Sequence, residues 1–101
     1  MAHPKAVPVH LGGQDRHLLY DFNALCALRD VGVDAFELTD AKLADPRVIR
    51  HLVWGGLLHE VPDLAVQDVG RWIDLSNLKD VATAFTKAFE RSTQREVVDP
   101  Q

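Results

Sequence analysis

Between Asp45 and Leu58 the chain sets Val48, Ile49, Leu52, Val53, Trp54 and Leu57 behind an Asp-Pro pair, and no other stretch constrains the fold as much. The Asp45 carboxylate suits an N-cap, and Pro46 suits the first helical position, where a missing N–H leaves no bond unmade. The apolar residues that follow cover so much of the helix circumference that they predict the central, most buried helix, running to about His59. Gly55-Gly56 interrupts its far end. A glycine inside a helix costs roughly 0.5–1 kcal/mol relative to alanine, so such a pair either ends the helix or lets another backbone approach closely. Because Leu57 and Leu58 follow, close packing within the helix is the expectation.

The other elements can be arranged around this helix. Residues Ala6 to Tyr20 read as a hairpin, with Val7, Val9 and Leu11 alternating before Gly12-Gly13 and with Leu18 and Tyr20 after it. Centring the turn on Gly13-Gln14 sets Val9 against Leu18, Val7 against Tyr20 and His10 against His17, which matches apolar partners best. Centring it on Gly12-Gly13 sets Val9 against Arg16 and is the poorer match. A two-stranded ribbon is unstable alone, so its apolar face must lie on helices.

Asp21 can cap a helix with Leu25, Leu28 and Val31 at threefold spacing and Gly32 as terminator. Asp34 to Ala44 reads as a connecting segment with Phe36 and Leu38 as anchors and one helical turn capped by Thr39 or Asp40. Val61-Pro62-Asp63 breaks the chain, and Val66, Val69, Trp72 and Ile73 recur at helical spacing between Leu64 and Asp74. Ser76 is the expected cap of the last helix, whose stripe is Leu78, Val81, Ala82, Phe85, Ala88 and Phe89. The pattern stops at Ser92. The expectation is therefore a mainly α (α+β) chain: an N-terminal β-hairpin, about residues 6–20, packed on a bundle of about four short helices. It forms a single domain over residues 1–91, with a flexible tail over 92–101.

At 101 residues, with 47% hydrophobic and 26% charged content, the chain supports one domain with one core. A fold this small buries only about two-thirds of its unfolded surface and gains stability from an interface. A net charge of −4 without a basic cluster argues against nucleic acid as a partner. No apolar run approaches a membrane span and no signal sequence opens the chain, so a cytoplasmic product with no membrane partner is expected. Cys26, the single cysteine, excludes an internal disulfide and is expected to be a small core or half-buried residue.

Five histidines raise the question of a metal. His51 and His59, eight apart, stand about 80° apart around a helix and ~12 Å along it, too far to share one ion. His10 and His17 make only two ligands, so no metal and no cofactor are expected. No serine sits in a strained turn, no carboxylate pair has a pocket-forming context, and Cys26 has no local partner, so no catalytic residue is expected and the chain is read as a non-enzyme. Trp54 and Trp72 are core candidates first and interface candidates second.

The order of these features resembles the tail assembly chaperones of long-tailed bacteriophages and the related small proteins of gene transfer agent particles. The resemblance runs from about Val7 to Phe89. It comprises Val9-His10-Leu11-Gly12-Gly13, Tyr20-Asp21-Phe22-Asn23-Ala24-Leu25 with a short helix to Gly32, the helix containing Leu52-Val53-Trp54-Gly55-Gly56-Leu57, the stretch from Leu64 to Ile73 with Val69-Gly70, and the final helix. Ala65 departs from the pattern, standing where the family often has a capping threonine or serine.

The resemblance implies a non-enzymatic role in virion morphogenesis. Such a protein binds the tape measure protein, shields its apolar stripes, helps recruit tail tube subunits, self-associates into oligomers along its client, and is expected in the cytoplasm of the bacterial host and not in the mature virion. In many relatives a frameshift adds a C-terminal extension, and this chain corresponds to the shorter product. Expected client contacts are Trp54, Leu57 and Leu58 near the glycine pair and Phe85 and Phe89 on the last helix. The alternative within phage biology is a structural head–tail connector or tail terminator. Outside it, a small DNA-binding regulator lacks a basic recognition helix here, and a metal-dependent enzyme or sensor lacks converging histidines.

Overall fold

The computed structural model describes residues 3–93. Two strands and five helices follow one another: β1 (Val7–Leu11), β2 (Gln14–Leu18), α1 (Phe22–Asp30), α2 (Asp40–Leu43), α3 (Pro46–Leu57), α4 (Val66–Trp72) and α5 (Leu78–Thr93). This is the α+β arrangement the sequence predicts, an N-terminal hairpin followed by helices. Helix α3 packs against α1, α2, α4 and β2, while α5 lies mainly across β1, so the core forms between α3 and the hairpin.

The hairpin corrects the expected register. Val7 stands opposite Leu18, Val9 opposite Arg16 and Leu11 opposite Gln14, which centres the turn on Gly12-Gly13. Both glycines have positive φ, 62° and 76°. A two-residue turn that follows the strand twist can require this at both centres, which glycine supplies and Gln14 does not, so turn geometry outweighs apolar matching across the strands. The two registers differ by two residues, so the same side chains face inward, and Val7, Val9, Leu11 and Leu18 are all buried. Arg16 is accommodated opposite Val9 because its guanidinium lies over the Trp72 ring, 4.0 Å from the centroid, and its Nε donates to the Leu11 carbonyl at 2.9 Å. His10 and His17 do not face each other: His17 is opposite Pro8, and His10 is opposite Asp15. Tyr20 lies beyond the ladder and finds its partners on α5, its ring 5.6 Å from those of Phe85 and Phe89.

Asp21 caps α1 by accepting from the Ala24 N–H at 2.8 Å. The helix ends in a Schellman arrangement, with the Gly32 N–H on the Arg29 carbonyl and the Val33 N–H on that of Leu28, and Gly32 takes the positive φ such an ending requires. Val31 is the C-cap and is exposed, so the buried side of α1 is Ala24 and Leu28 and does not extend to Val31. Cys26 is exposed, not a core residue. It lies two positions from both Ala24 and Leu28, which turns it about 200° from each. Thr39 caps the single-turn α2 by accepting from the Lys42 N–H. Leu38 packs on the core, whereas Phe36 is 79% exposed and anchors nothing.

Asp45 caps α3 through the Arg47 N–H at 2.9 Å, with Pro46 just inside. The glycine pair lies within the helix, in its last turn, and serves close approach. A Cβ on Gly55 would stand 2.9 Å from Leu28, and one on Gly56 would stand 2.9 Å from the Tyr20 ring and 3.0 Å from Leu18. The bare backbone also lets the Leu19 N–H reach the Gly56 carbonyl at 2.9 Å. The helix stops at Leu57, two residues earlier than expected. Ala65 begins α4 with no side-chain cap, in keeping with the departure read in the sequence.

Ser76 does not cap α5. Asp74 organises that turn, its carboxylate accepting from the Ser76 N–H and hydroxyl and from the Asn77 N–H, while the Asn77 side chain bridges the Asp74 N–H and the Trp72 carbonyl. On α5 the buried residues are Val81, Ala84 and Ala88, and Ala82 faces out. The helix continues through Ser92 and Thr93, past the expected boundary at residue 91; the rest of the expected tail, residues 94–101, lies outside the described residues.

Candidate functional site

The residues expected to touch a client separate into three groups. Leu57 is fully buried, at 0% exposure, and offers no surface, which removes it as a contact residue. Its position follows from spacing, since it lies four and five residues beyond the buried Val53 and Leu52 on the core side of α3. Phe85 and Phe89 are half-buried and engaged with each other and with Tyr20 at ring separations of 5.5–5.6 Å, so most of their surface closes the core. Trp54 and Leu58 are also half-buried. The Trp54 indole N–H donates to the Leu64 carbonyl at 2.7 Å, and its ring stands edge-on to His51. Trp72 backs the hairpin: besides receiving Arg16, it lies 2.7 Å from where a Gly12 Cβ would stand.

The structure draws attention to a groove that these residues do not line. It has a volume of about 460 Å³ and runs between the first half of α3, the end of α4 and the start of α5. Ile49, Ile73, Leu75 and Leu78 supply its apolar surface, and Leu75 is 91% exposed. Arg47 and Arg50 also line it. Arg47 is held by Asp45 through two side-chain bonds of 3.2 and 3.3 Å. The hydrogen bonds from the Arg47 side chain and N–H hold the Asp45 carboxyl below the usual carboxylate range. Arg50 extends over Gly70, and its Nε is buried without a hydrogen-bond partner. Ile49 joins this groove to a smaller depression of about 100 Å³ beside Leu43, Ala82 and Phe85.

Sequence spacing could not assemble this site, because its residues come from three elements. Leu75 was nevertheless visible as a lone leucine among the turn formers Asp74, Ser76 and Asn77. A second apolar surface is formed by Phe22, Leu25, Val33 and Phe36 beside Cys26, where Phe22 is 76% exposed.

The histidines serve as local fasteners. Glu60 accepts from the His17 N–H at 2.9 Å and meets the His17 ring at 2.9 Å, and the His59 ring reaches the His17 carbonyl at 2.7 Å, which ties the turn after α3 to β2. Burial opposes ionisation of Glu60, but the two bonds from His17 and the neighbouring histidine charges outweigh it and hold the carboxyl below its ordinary range. Among the described residues no three His, Cys, Asp or Glu side chains group into a metal-binding set, and no helix is long and apolar enough to cross a membrane. No family model, no curated protein and no solved structure matches this chain.

Proposed function

We propose that this chain is a tail assembly chaperone that binds the tape measure protein of a long-tailed phage or gene transfer agent-like particle and helps recruit tail tube subunits, without catalysis. The observation that carries the reading is the open apolar groove between α3, α4 and α5, where Leu75 stands 91% exposed. Exposed apolar surface of this kind marks an interaction site, and an amphipathic helical client is the partner that a groove between helices suits. The order of sequence features supports the particular client. The Phe22 and Phe36 surface supplies a separate place for contacts between copies, as repeated binding along a long client requires.

The shifted titratable groups fit a binding protein. Asp45 caps a helix, Asp74 holds a turn, Glu60 fastens a strand, and Tyr20 is raised by burial in the core. Each is accounted for by its part in the fold. The test is co-expression with the tape measure protein encoded by the same genome: the client is expected to be soluble with this chain and insoluble without it. A client indifferent to the chain removes the assignment. The exposed phenylalanines are also compatible with a connector or terminator ring, and that reading requires the chain in purified mature particles, where a chaperone is absent.

A further inference from the structure

Resting on the chaperone reading, we propose that the α3–α4–α5 groove docks an amphipathic helix that carries a carboxylate beside its apolar stripe, and that Arg50 recognises that carboxylate. The groove is apolar along Ile49, Ile73, Leu75 and Leu78, and the charged side chains lining it are both arginines. With Arg47 answered by Asp45 of the same chain, Arg50 is the lining charge left without a carboxylate, and local charge, more than the net charge of −4, steers a partner into a cleft.

The two arginines are not equivalent. Arg47 has its guanidinium against Asp45, a carboxylate of its own chain. Arg50 has a buried Nε with no acceptor, and its stem crosses Gly70, where a Cβ would stand 3.1 Å from its Cδ. Asp74, next to Ile73 and Leu75 in sequence, already holds Ser76 and Asn77. The buried Nε is closed to a partner, but Arg50 is only half-buried and makes no ion pair with the described residues. The terminal nitrogens of its guanidinium are therefore the groups that pair with a carboxylate, through two parallel bonds. A helix whose leucines enter the groove brings a glutamate or aspartate one turn away on the same face within reach of this group.

The test uses the full chain and two fluorescently labelled helical peptides with the same leucine stripe, one flanked by glutamates and the other by lysines, read by anisotropy. The wild type is expected to bind the glutamate peptide at least tenfold more tightly. Arg50→Glu should abolish or invert that preference. Leu75→Asp, at a residue whose exposure leaves the core untouched, should weaken the glutamate peptide at least tenfold. Equal binding of both peptides, binding of neither, or binding unchanged by both variants overturns the site.

The same variants in the tape measure co-expression separate the two claims. A client kept soluble by the wild type and lost with Leu75→Asp supports the groove, and a client kept soluble equally by wild type and both variants leaves the chaperone reading standing and removes the groove. A wild type that fails on the client removes the chaperone reading, and the peptides then decide the groove alone.

Discussion

The Tyr20 hydroxyl donates to the Leu52 carbonyl at 2.6 Å from a ring that is 4% exposed. This bond joins the end of the hairpin segment to the middle of α3, at the point where Gly56 lets the ring lie directly on the helix backbone. Phe85 and Phe89 close over the same ring from α5. Three parts of the fold therefore meet on one side chain.

Tyr20→Phe keeps the ring and removes the bond, and it is expected to lower stability by about 1 kcal/mol in urea unfolding. Tyr20→Ala also empties the space between α3 and α5 and should cost about 3–5 kcal/mol. Equal losses in the two variants would show that the ring contributes nothing beyond its hydroxyl.

The two turn glycines allow the hairpin account to be tested by difference. Both have positive φ, but a Cβ on Gly13 meets nothing within 4 Å, whereas one on Gly12 meets the Trp72 ring at 2.7 Å. Gly13→Ala should cost about 1–2 kcal/mol for the left-handed backbone alone. Gly12→Ala should add about 1–3 kcal/mol for overpacking against Trp72. Indistinguishable melting curves for the two variants would contradict the contact between the turn and Trp72.

The Glu60 fastener predicts a pH dependence of definite sign. The folded carboxyl lies below its unfolded value, so the stability it contributes is present above the unfolded glutamate pKa, about 4.3, and is lost as pH falls through the folded value. Asp45 and Asp74 are lowered as well and titrate in the same acid range. The informative quantity is therefore the difference between wild type and Glu60→Gln. Wild-type stability should fall more steeply than that of the variant between about pH 5 and pH 3, while the protection of the His17 amide from hydrogen exchange, relative to its intrinsic rate at each pH, falls more in the wild type than in the variant. Parallel stability curves would remove the His17–Glu60 pair from the account.

What could be read from the sequence was local. Asp45-Pro46, Asp21 and Gly32 name helix ends because caps and terminators act within a few residues of themselves, and all three stand where expected. The glycine pair was legible for a related reason: two glycines in an apolar helix imply a neighbour pressed against them, although its identity as Leu28, Leu18 and Tyr20 was not legible. The hairpin register is set by the positive φ of Gly12-Gly13, a local signal that apolar matching between the strands argued against, and Trp72, far along the chain, gives Arg16 a place opposite Val9. Apolar matching between the strands contains no trace of that residue. Leu57 looked like a client contact because α3 is apolar nearly all round, but the hairpin and four helices surround the core and α3 needs most of that surface for them. The groove was out of reach for the same reason, since Ile49, Ile73 and Leu78 become neighbours only after three helices have packed.

The molar mass of the purified complex tests most directly the proposal that this chain coats an amphipathic helical client. The tape measure protein and this chain, co-expressed and passed over a sizing column with light-scattering detection, are expected to elute together at a mass corresponding to many copies of the chain per client. A tape measure protein that precipitates while this chain elutes alone would contradict the account.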